Sequence, residues 1–560
     1  MMKKALLFLF LISSNFMMAA DVTPREALQK ATDFLQSRNI SYASNRAPIT
    51  ANQLTMTKLI SGLYLFNVAD NGGFVIVSND DCTADILGFS DSGNIDPDNM
   101  PDNMRAWLQG YADQISWAKS NHVTKSSAVQ RRVGDAAIEP LIKTKWDQGD
   151  PYNRLCPDFF VFGKSVVGCL ATAMAQVVYY TISNSNWRLE ATSKTIPAYN
   201  CRRNWQGYGT IHVDEIPAGT TFDWRNMLTE YDTFSDEQGT AVATLMAACG
   251  ASIETDYANK DNGGSSASLF YVDKALKKYF GHSIETTQRI NRANYSDDDW
   301  EEIIYHELSQ GRPVLYSGFA KGKGAYSENI VGHAFVCDGY RYENSNNYYH
   351  INWGWSGICD NYFLLSAFDP TERGFGSETG NYTGFNYDQE VVIGMQLEGD
   401  EGKVADEVSK GTGGSLRLVD ISTSSTHVKV GDKLTVVITI KNNSIQDYKG
   451  GFAIWLSTMD RGAYYPCSIG SGETVVLSQS VTAPDTPGTY QYKVLYLNGT
   501  ELFAIGLTDP ITVSEETDGL ENNTILDDNR EGTFYDLQGR RVDHPVKGVY
   551  LVNGRKVIVK

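Results

Sequence analysis

The sequence predicts an α+β fold of two lobes flanking a cleft, and three observations carry that expectation. From Cys169 the apolar positions Leu170, Ala173, Met174, Val177 and Val178 recur at helical spacing. Beyond Pro313 the chain changes to short apolar runs separated by turn residues, the pattern of an antiparallel sheet. Past residue 415 the period falls to two: Leu434, Val436, Ile438 and Ile440 alternate with Thr435, Val437 and Thr439. Helices and an antiparallel sheet that follow one another in sequence pack as separate layers, with a groove where they meet.

At 560 residues the chain exceeds what one core supports, and about three or four domains are expected. Its net charge of −19, with no dense Lys/Arg cluster, argues against nucleic acid or an anionic membrane as partner. The eight cysteines are scattered without a Cys-x-x-Cys pair, so no metal site is expected, and at most about two disulfides.

Residues 1–20 run from Met1-Met2-Lys3-Lys4 through an apolar stretch at Ala5–Ile12 to Met18-Ala19-Ala20, and read as a signal peptide. No other stretch reaches the roughly 18 apolar residues of a spanning helix. Residues 21–131 form a small domain of their own. Thr23-Pro24-Arg25-Glu26 is a capping box ahead of a helix with Leu28, Ala31 and Leu35 on one face. Leu63–Val68 and Phe74–Val77 flank Asp70-Asn71-Gly72-Gly73 as a hairpin, and a further helix is expected around Trp107–Trp117. The polar run Lys119–Arg132 is a linker of the kind proteases cut.

Residues 132–396 form the largest domain. After the loop that carries Gln148 and the Cys169 helix, helices are expected near 238–249, 266–279 and 297–310, then a strand at Pro313–Tyr316. Gly332–Tyr340 and Tyr348–Trp355 are two strands joined by the turn-rich Glu343–Asn347. An acidic, glycine-rich linker at 397–414 leads to an immunoglobulin-like β-sandwich at 415–514. A polar linker at 515–532 precedes a hairpin-rich module at 533–560, which is too small for a core and reads as a tag for another protein.

A thiol on the first turn of a buried helix faces unpaired N–H groups and the positive end of the helix dipole, and both favour thiolate. A lone cysteine in an apolar run is more often plain core, so partners decide. Among His212, His282, His306, His333 and His350, His333 stands between a glycine and an apolar strand, where it can project into a cleft as the base. Asn352, on the next strand, can orient the imidazole, with Trp353 and Trp355 shielding that bond. Gln148 can donate its side-chain NH2 to an oxyanion beside the Cys169 N–H. Ser317, Gly318 and Gly332, which flank the approach to His333, are candidate substrate contacts.

The runs Trp146–Asn153, Val167–Tyr180, Val331–Tyr340 and Tyr348–Gly357, in that order, resemble the streptopain family of papain-like cysteine proteases and its interpain relatives. The resemblance covers residues 21–396, because Phe66–Asp81 and its flanks are similar to that family's inhibitory propeptide. It implies an α+β, two-lobed papain-like cysteine protease with an N-terminal α+β propeptide and a C-terminal immunoglobulin-like β-sandwich. It further implies Cys169 as nucleophile, His333 as base, Gln148 as oxyanion donor, and Asn352-Trp353 as the supporting pair. Expected partners are protein or peptide substrates with a hydrophobic residue just before the scissile position, and the chain's own propeptide as intramolecular inhibitor. No cofactor, metal or nucleic acid is implied. The closing module resembles the sorting domain of type IX secretion, which implies that secretion machinery as a partner and a secreted or outer-surface destination. Leu170 after the nucleophile, and the segments Phe319–Val331 and Gly374–Phe385, depart from the pattern of relatives. Another Cys-His acyl-transfer enzyme, such as an amidase or transglutaminase, or a surface-binding protein that uses the protease fold as carrier, are the rival expectations.

Overall fold

A computed structural model of the chain describes residues 21–41, 49–58, 62–120, 132–185, 187–284, 286–292, 295, 297–321, 330–367, 387–400, 416–442, 447–456, 464–498, 501–508 and 511–514, with short strands between 524 and 559. The expected signal peptide, the processing linker at 121–131, the linker at 401–415 and the segment Gly374–Phe385 lie outside the described residues, as do 322–329 of the segment after Ala320. The chain forms two units, Met1–Ser415 and Leu416–Lys560.

The first unit begins with α1 (Pro24–Ser41), whose capping box forms as read: Thr23 N–H donates to Glu26 Oε2 at 2.8 Å, and Glu26 N–H to Thr23 Oγ1 at 3.3 Å. Four strands follow, β1 (Leu54–Lys58), β2 (Leu63–Val68), β3 (Phe74–Ser78) and β4 (Ile86–Ser90), then α2 (Asp102–Ser120). The β2–β3 turn places Asp70 and Asn71 at φ near +57° and Gly73 at +120°; a Cβ on Gly73 would lie 2.2 Å from Ser90 O, so this corner requires glycine.

The helical lobe holds α3 (Cys169–Asn184), the two-residue strands β5 (Tyr199–Asn200) and β6 (His212–Val213), α4 (Asp236–Ser252) and α5 (Val272–Tyr279). Then come β7 (Gln288–Asn291), α6 (Asp297–Ser309), β8 (Val314–Lys321), β9 (Ile330–Glu343), β10 (Asn346–Asn352), β11 (Asn361–Phe363) and β12 (Tyr387–Ile393). The β9–β10 turn is tighter than the sequence suggests, because Asn344 and Ser345 both take positive φ and close a two-residue loop.

One ten-stranded sheet, in the order β1-β2-β3-β4-β11-β10-β9-β8-β12-β7, runs through both the N-terminal domain and the large domain. The two halves meet at β4 and β11, where Tyr362 pairs with Phe89 and Phe363 with Gly88, antiparallel. Around it sit two apolar cores. One packs α3, α4 and α5 against Leu315, Ala334 and Val336 on one face of the sheet. The other joins Phe34, Phe66, Phe89, Trp107 and Tyr111 of the N-terminal domain to Tyr316, Phe335, Tyr348 and Phe363.

The second unit is all-β among its described residues. The strand Lys433–Asn442 is buried at every second residue, as its period of two requires, and pairs antiparallel with Leu416–Thr423 on one side and Thr474–Thr482 on the other. With Tyr448–Leu456 and Tyr492–Asn498 these strands enclose a core of Leu434, Val436, Ile438, Phe452, Val494 and Tyr496. All eight cysteines of the chain are free thiols. Among the described residues no helix is long and apolar enough to cross a membrane.

Candidate active site

Gly168 sets the start of α3. It sits at φ 92°, ψ 140°, and a Cβ there would lie 3.2 Å from the Ser265 carbonyl oxygen, so only glycine lets the chain turn into the helix against that neighbour. Its carbonyl accepts from both the N–H and the Oγ1 of Thr172, at 3.0 Å each. Leu170, Ala171, Ala173, Met174, Val177 and Val178 are buried behind it, which fixes the first turn and Cys169 with it.

The Cys169 thiol meets the far lobe directly. Burial pushes its pKa up, while hydrogen bonds from the N–H groups of Ala334 and Leu170 pull it back, and the carboxylate of Asp102 pushes it up again. The helix terminus alone favours thiolate; in this form desolvation wins. His333, half-buried on β9 opposite Gly318 of β8, is pushed down to about 4 by burial, with Asp102 acting in the opposite sense. At neutral pH both groups are therefore uncharged here. Asp102 is the first residue of α2, so a charge of the N-terminal domain acts on both the thiol and the imidazole.

Asn103, beside it, is 1 % exposed and its Nδ2 donates to Trp353 O at 2.7 Å and to Ala334 O at 3.2 Å. It thus holds the backbone just after His333 and just after Asn352. Sequence reading passed over this pair, because Pro101-Asp102-Asn103 reads as an ordinary helix start.

Gln148 is half-buried, and its carbonyl accepts from Val167 N–H at 3.0 Å, which ties its loop to the residues just before the nucleophile. Its side-chain amide has no hydrogen-bond partner among the described residues. Asn352 pairs with Val336 across the β10–β9 ladder, as expected of neighbouring strands. Its amide, however, is engaged elsewhere: Oδ1 accepts from Gln176 Nε2 at 3.0 Å and from Gly354 N–H at 3.1 Å, and Nδ2 donates to Thr144 O at 2.9 Å. Gln176, a polar residue on the otherwise apolar face of α3, was the signal for this network. Trp353 is fully buried against Phe335 and Phe363, with its N–H on Asp360 Oδ1 at 2.8 Å. Burial raises the Asp360 carboxyl to about 7.

The other histidines are tied up differently. His350 Nδ1 lies 2.6 Å from Asp338 Oδ1, and His282 Nδ1 3.1 Å from Phe280 O, buried and pushed down to about 4. Ser317 pairs with Ala334 and Gly332 with Phe319, so the three candidate substrate positions line up along the β8–β9 ladder beside His333.

Streptopain from Streptococcus pyogenes is 32% identical over 392 residues, covering 66% of this chain and 91% of streptopain. This chain belongs to the Peptidase C10 family. The family's profile matches residues 146–363, and that of the Spi protease inhibitor matches residues 19–115. A thiol protease/hemagglutinin, PrtT, from Porphyromonas gingivalis is 30% identical over 411 residues, 70% of this chain and 44% of that protein. Among solved structures, a fragment of Prevotella intermedia prointerpain A is similar at 30% identity and a TM-score of 0.50, covering 62% of this chain and 99% of the fragment. The C10 chain is accordingly a cysteine endopeptidase with a propeptide-like inhibitor domain at its N-terminal end, and α2, with Asp102 and Asn103, belongs to that domain.

Proposed function

We propose that this endopeptidase is made as a zymogen and cleaves peptide bonds through Cys169 and His333. The observation that carries the reading is that Cys169, at the start of α3, packs on the same core as Ala334 of β9, the residue next to His333, so that nucleophile and base are brought together from separate lobes. Removal of the propeptide-like domain takes away the Asp102 carboxylate and the Asn103 contacts and opens the cleft to water. The imidazole can then take the thiol proton and form the ion pair that attacks a peptide carbonyl. His333 protonates the leaving amine, and water hydrolyses the thioester. Gln148, with its amide uncommitted and its backbone tied to Val167, stabilises the oxyanion together with the Cys169 N–H. Asn352 acts on the histidine through the backbone it anchors, and Trp353 as the buried floor beneath it. Ser317, Gly318 and Gly332 contact substrate alongside His333.

Export through the signal peptide at 1–20 and the type IX machinery, read from the module at 533–560, delivers the zymogen to the outside. There it cleaves proteins with a hydrophobic residue just before the scissile bond. Purified Cys169→Ala protein should not digest casein. Gln148→Ala should lose on the order of 100-fold in kcat, about 3 kcal/mol, with its folding unchanged. Casein digestion by Cys169→Ala defeats the proposal.

A further inference from the structure

Outside the cleft, the segment that joins the propeptide-like domain to the protease is stitched to the sheet lobe from Val133 onward. Val133 N–H donates to Asn347 Oδ1 at 3.4 Å. Asn347 is fully buried; its Oδ1 also accepts from Tyr340 OH at 2.7 Å, and its Nδ2 donates to Glu301 Oε2 at 2.7 Å. Glu301, on α6, is 5 % exposed. Gly134 presses on the Tyr305 ring so closely that a Cβ would lie 1.8 Å from its Cζ, and Ala136 N–H lies 3.4 Å from the Tyr305 hydroxyl. Ile138 then exchanges two 2.8 Å backbone bonds with Tyr340, and Leu141 and Ile142 bond to Asp338. The Val133 nitrogen is thus the first described in this segment to bond to a buried side chain, Asn347, whose other amide atom holds the Glu301 carboxylate.

Arg132, immediately before it, is exposed. Its guanidinium rests on Gly134 O and Asp135 O and lies 5.3 Å from the Tyr342 ring centroid, contacts at the surface that open at little cost. The residue before it is also arginine. Such a pair does not match a hydrophobic preference in this enzyme's own cleft, and it suits a protease that reads a cationic side chain.

We propose that Val133 is the N-terminal residue of the finished protease, produced when an arginine-directed endopeptidase hydrolyses the Arg132–Val133 bond, and that its new ammonium is received by Asn347 and Glu301. In that step water supplies the hydroxyl that makes Arg132 a carboxylate, and the Val133 nitrogen leaves as an amine that is protonated at neutral pH. A cut further upstream leaves a neutral amide on Asn347. A cut downstream severs a segment already paired with β9. Capture exchanges a neutral donor for a charged one on Asn347 Oδ1, with the Glu301 carboxylate held by the same side chain, which strengthens that contact on maturation. The inference rests on the zymogen reading, and its test does not depend on the enzyme's own activity.

The full Cys169→Ala chain is digested with trypsin, and the stable product is sequenced from its N-terminus and weighed intact. Val133 is expected at the N-terminus, with Lys143 and Lys145 left uncut, and the α-amine should react with an acylating reagent at least about 10-fold more slowly in the folded product than in urea. Glu301→Gln should lift that protection and lower the melting temperature of the cut form by about 3 °C more than that of the uncut form. Wild-type secreted enzyme should also begin at Val133, and Arg132→Gln enzyme should not. A stable N-terminus at another residue, an α-amine that labels as fast folded as unfolded, or equal melting shifts in cut and uncut forms overturns the proposal. Failure of the protease reading appears separately, as casein digestion by the Cys169→Ala chain.

Discussion

In the helical lobe every core residue around α3 comes from the protease, from Ile142 to Leu397, whereas the core on the other side of the sheet takes Phe34, Phe66, Phe89, Trp107 and Tyr111 from the propeptide-like domain. Trp107 alone meets Tyr316 and Phe335 edge-on, with ring centroids 6.0 and 5.4 Å apart. An ion network, buried at Arg38 and Glu343 and exposed at Asp91, reinforces this shared side: Arg38 reaches Asp91 at 2.7 Å and Glu343 at 3.1 Å, and Asp91 also meets Arg341 at 3.0 Å. The proposed nucleophile therefore stands on a lobe that needs nothing from the inhibitor domain, and the proposed base on one whose packing the inhibitor domain completes. Latency imposed from the shared side can leave the nucleophile helix intact.

The strongest way to break that comparison is to hollow each core in turn. Met174→Ala, deep in the helical lobe, should cost about 2–5 kcal/mol, and Trp107→Ala, in the shared core, about 3–5 kcal/mol, by urea unfolding of the Cys169→Ala chain. Hydrogen exchange separates them: Trp107→Ala should speed exchange in β4, β9 and β10 and leave α3 and α4 protected. Equal loss of protection in α3 means that the cores are not independent.

Acid sharpens the contrast. His282, fully buried in the helical lobe, has a folded pKa near 4 against 6.5 for the free side chain. The unfolded chain takes the proton first, so the stability this histidine secures is whole above pH 6.5 and declines as pH falls toward 4, by up to about 3 kcal/mol. His282→Gln should flatten that decline in α5, read by hydrogen exchange, without altering β4.

Asn103→Ala strips the carbonyls of Ala334 and Trp353 of a buried donor and should cost the zymogen about 1–3 kcal/mol. Loss of the inhibitor domain should be faster, measured by gel, while the processed enzyme keeps its kcat. Asp360 gives the matching test in the opposite sense of pH. Its raised carboxyl contributes stability below pH 4 that is lost as pH rises through 7, so Asp360→Asn should gain on wild type by up to about 4 kcal/mol between pH 4 and pH 8, with the difference vanishing in acid.

Where local pattern dictated structure, the sequence was readable. The 3.6 period after Cys169, the capping box at Thr23 and the Asn71-Gly72-Gly73 corner each form as expected, because each is settled by residues within one turn of itself. Strands β7 and β11, of four and three residues, were missed, since such short runs are strands only because distant partners pair with them. The same holds at the site. Cys169 and His333 stand out by spacing and flanking glycine, whereas the engagement of Asn352 by Gln176, and the reach of Asp102 and Asn103 into the dyad, arise from contacts across 176 and more than 200 residues. The forces on the thiol are distant in the same way: burial and the Asp102 carboxylate both push it up, and neither is written beside the cysteine.

Between β4 and β11 the great sheet crosses from inhibitor to enzyme through two residue pairs, next to ladders of four pairs at β3–β4 and three at β10–β11, with longer ones beyond at β2–β3 and β9–β10. Gly88 makes even that join possible, since a methyl group there would press 2.6 Å from the Phe363 ring. A fabric with a line of perforation parts there first, and this one can come apart between the two modules with every long ladder on either side still whole.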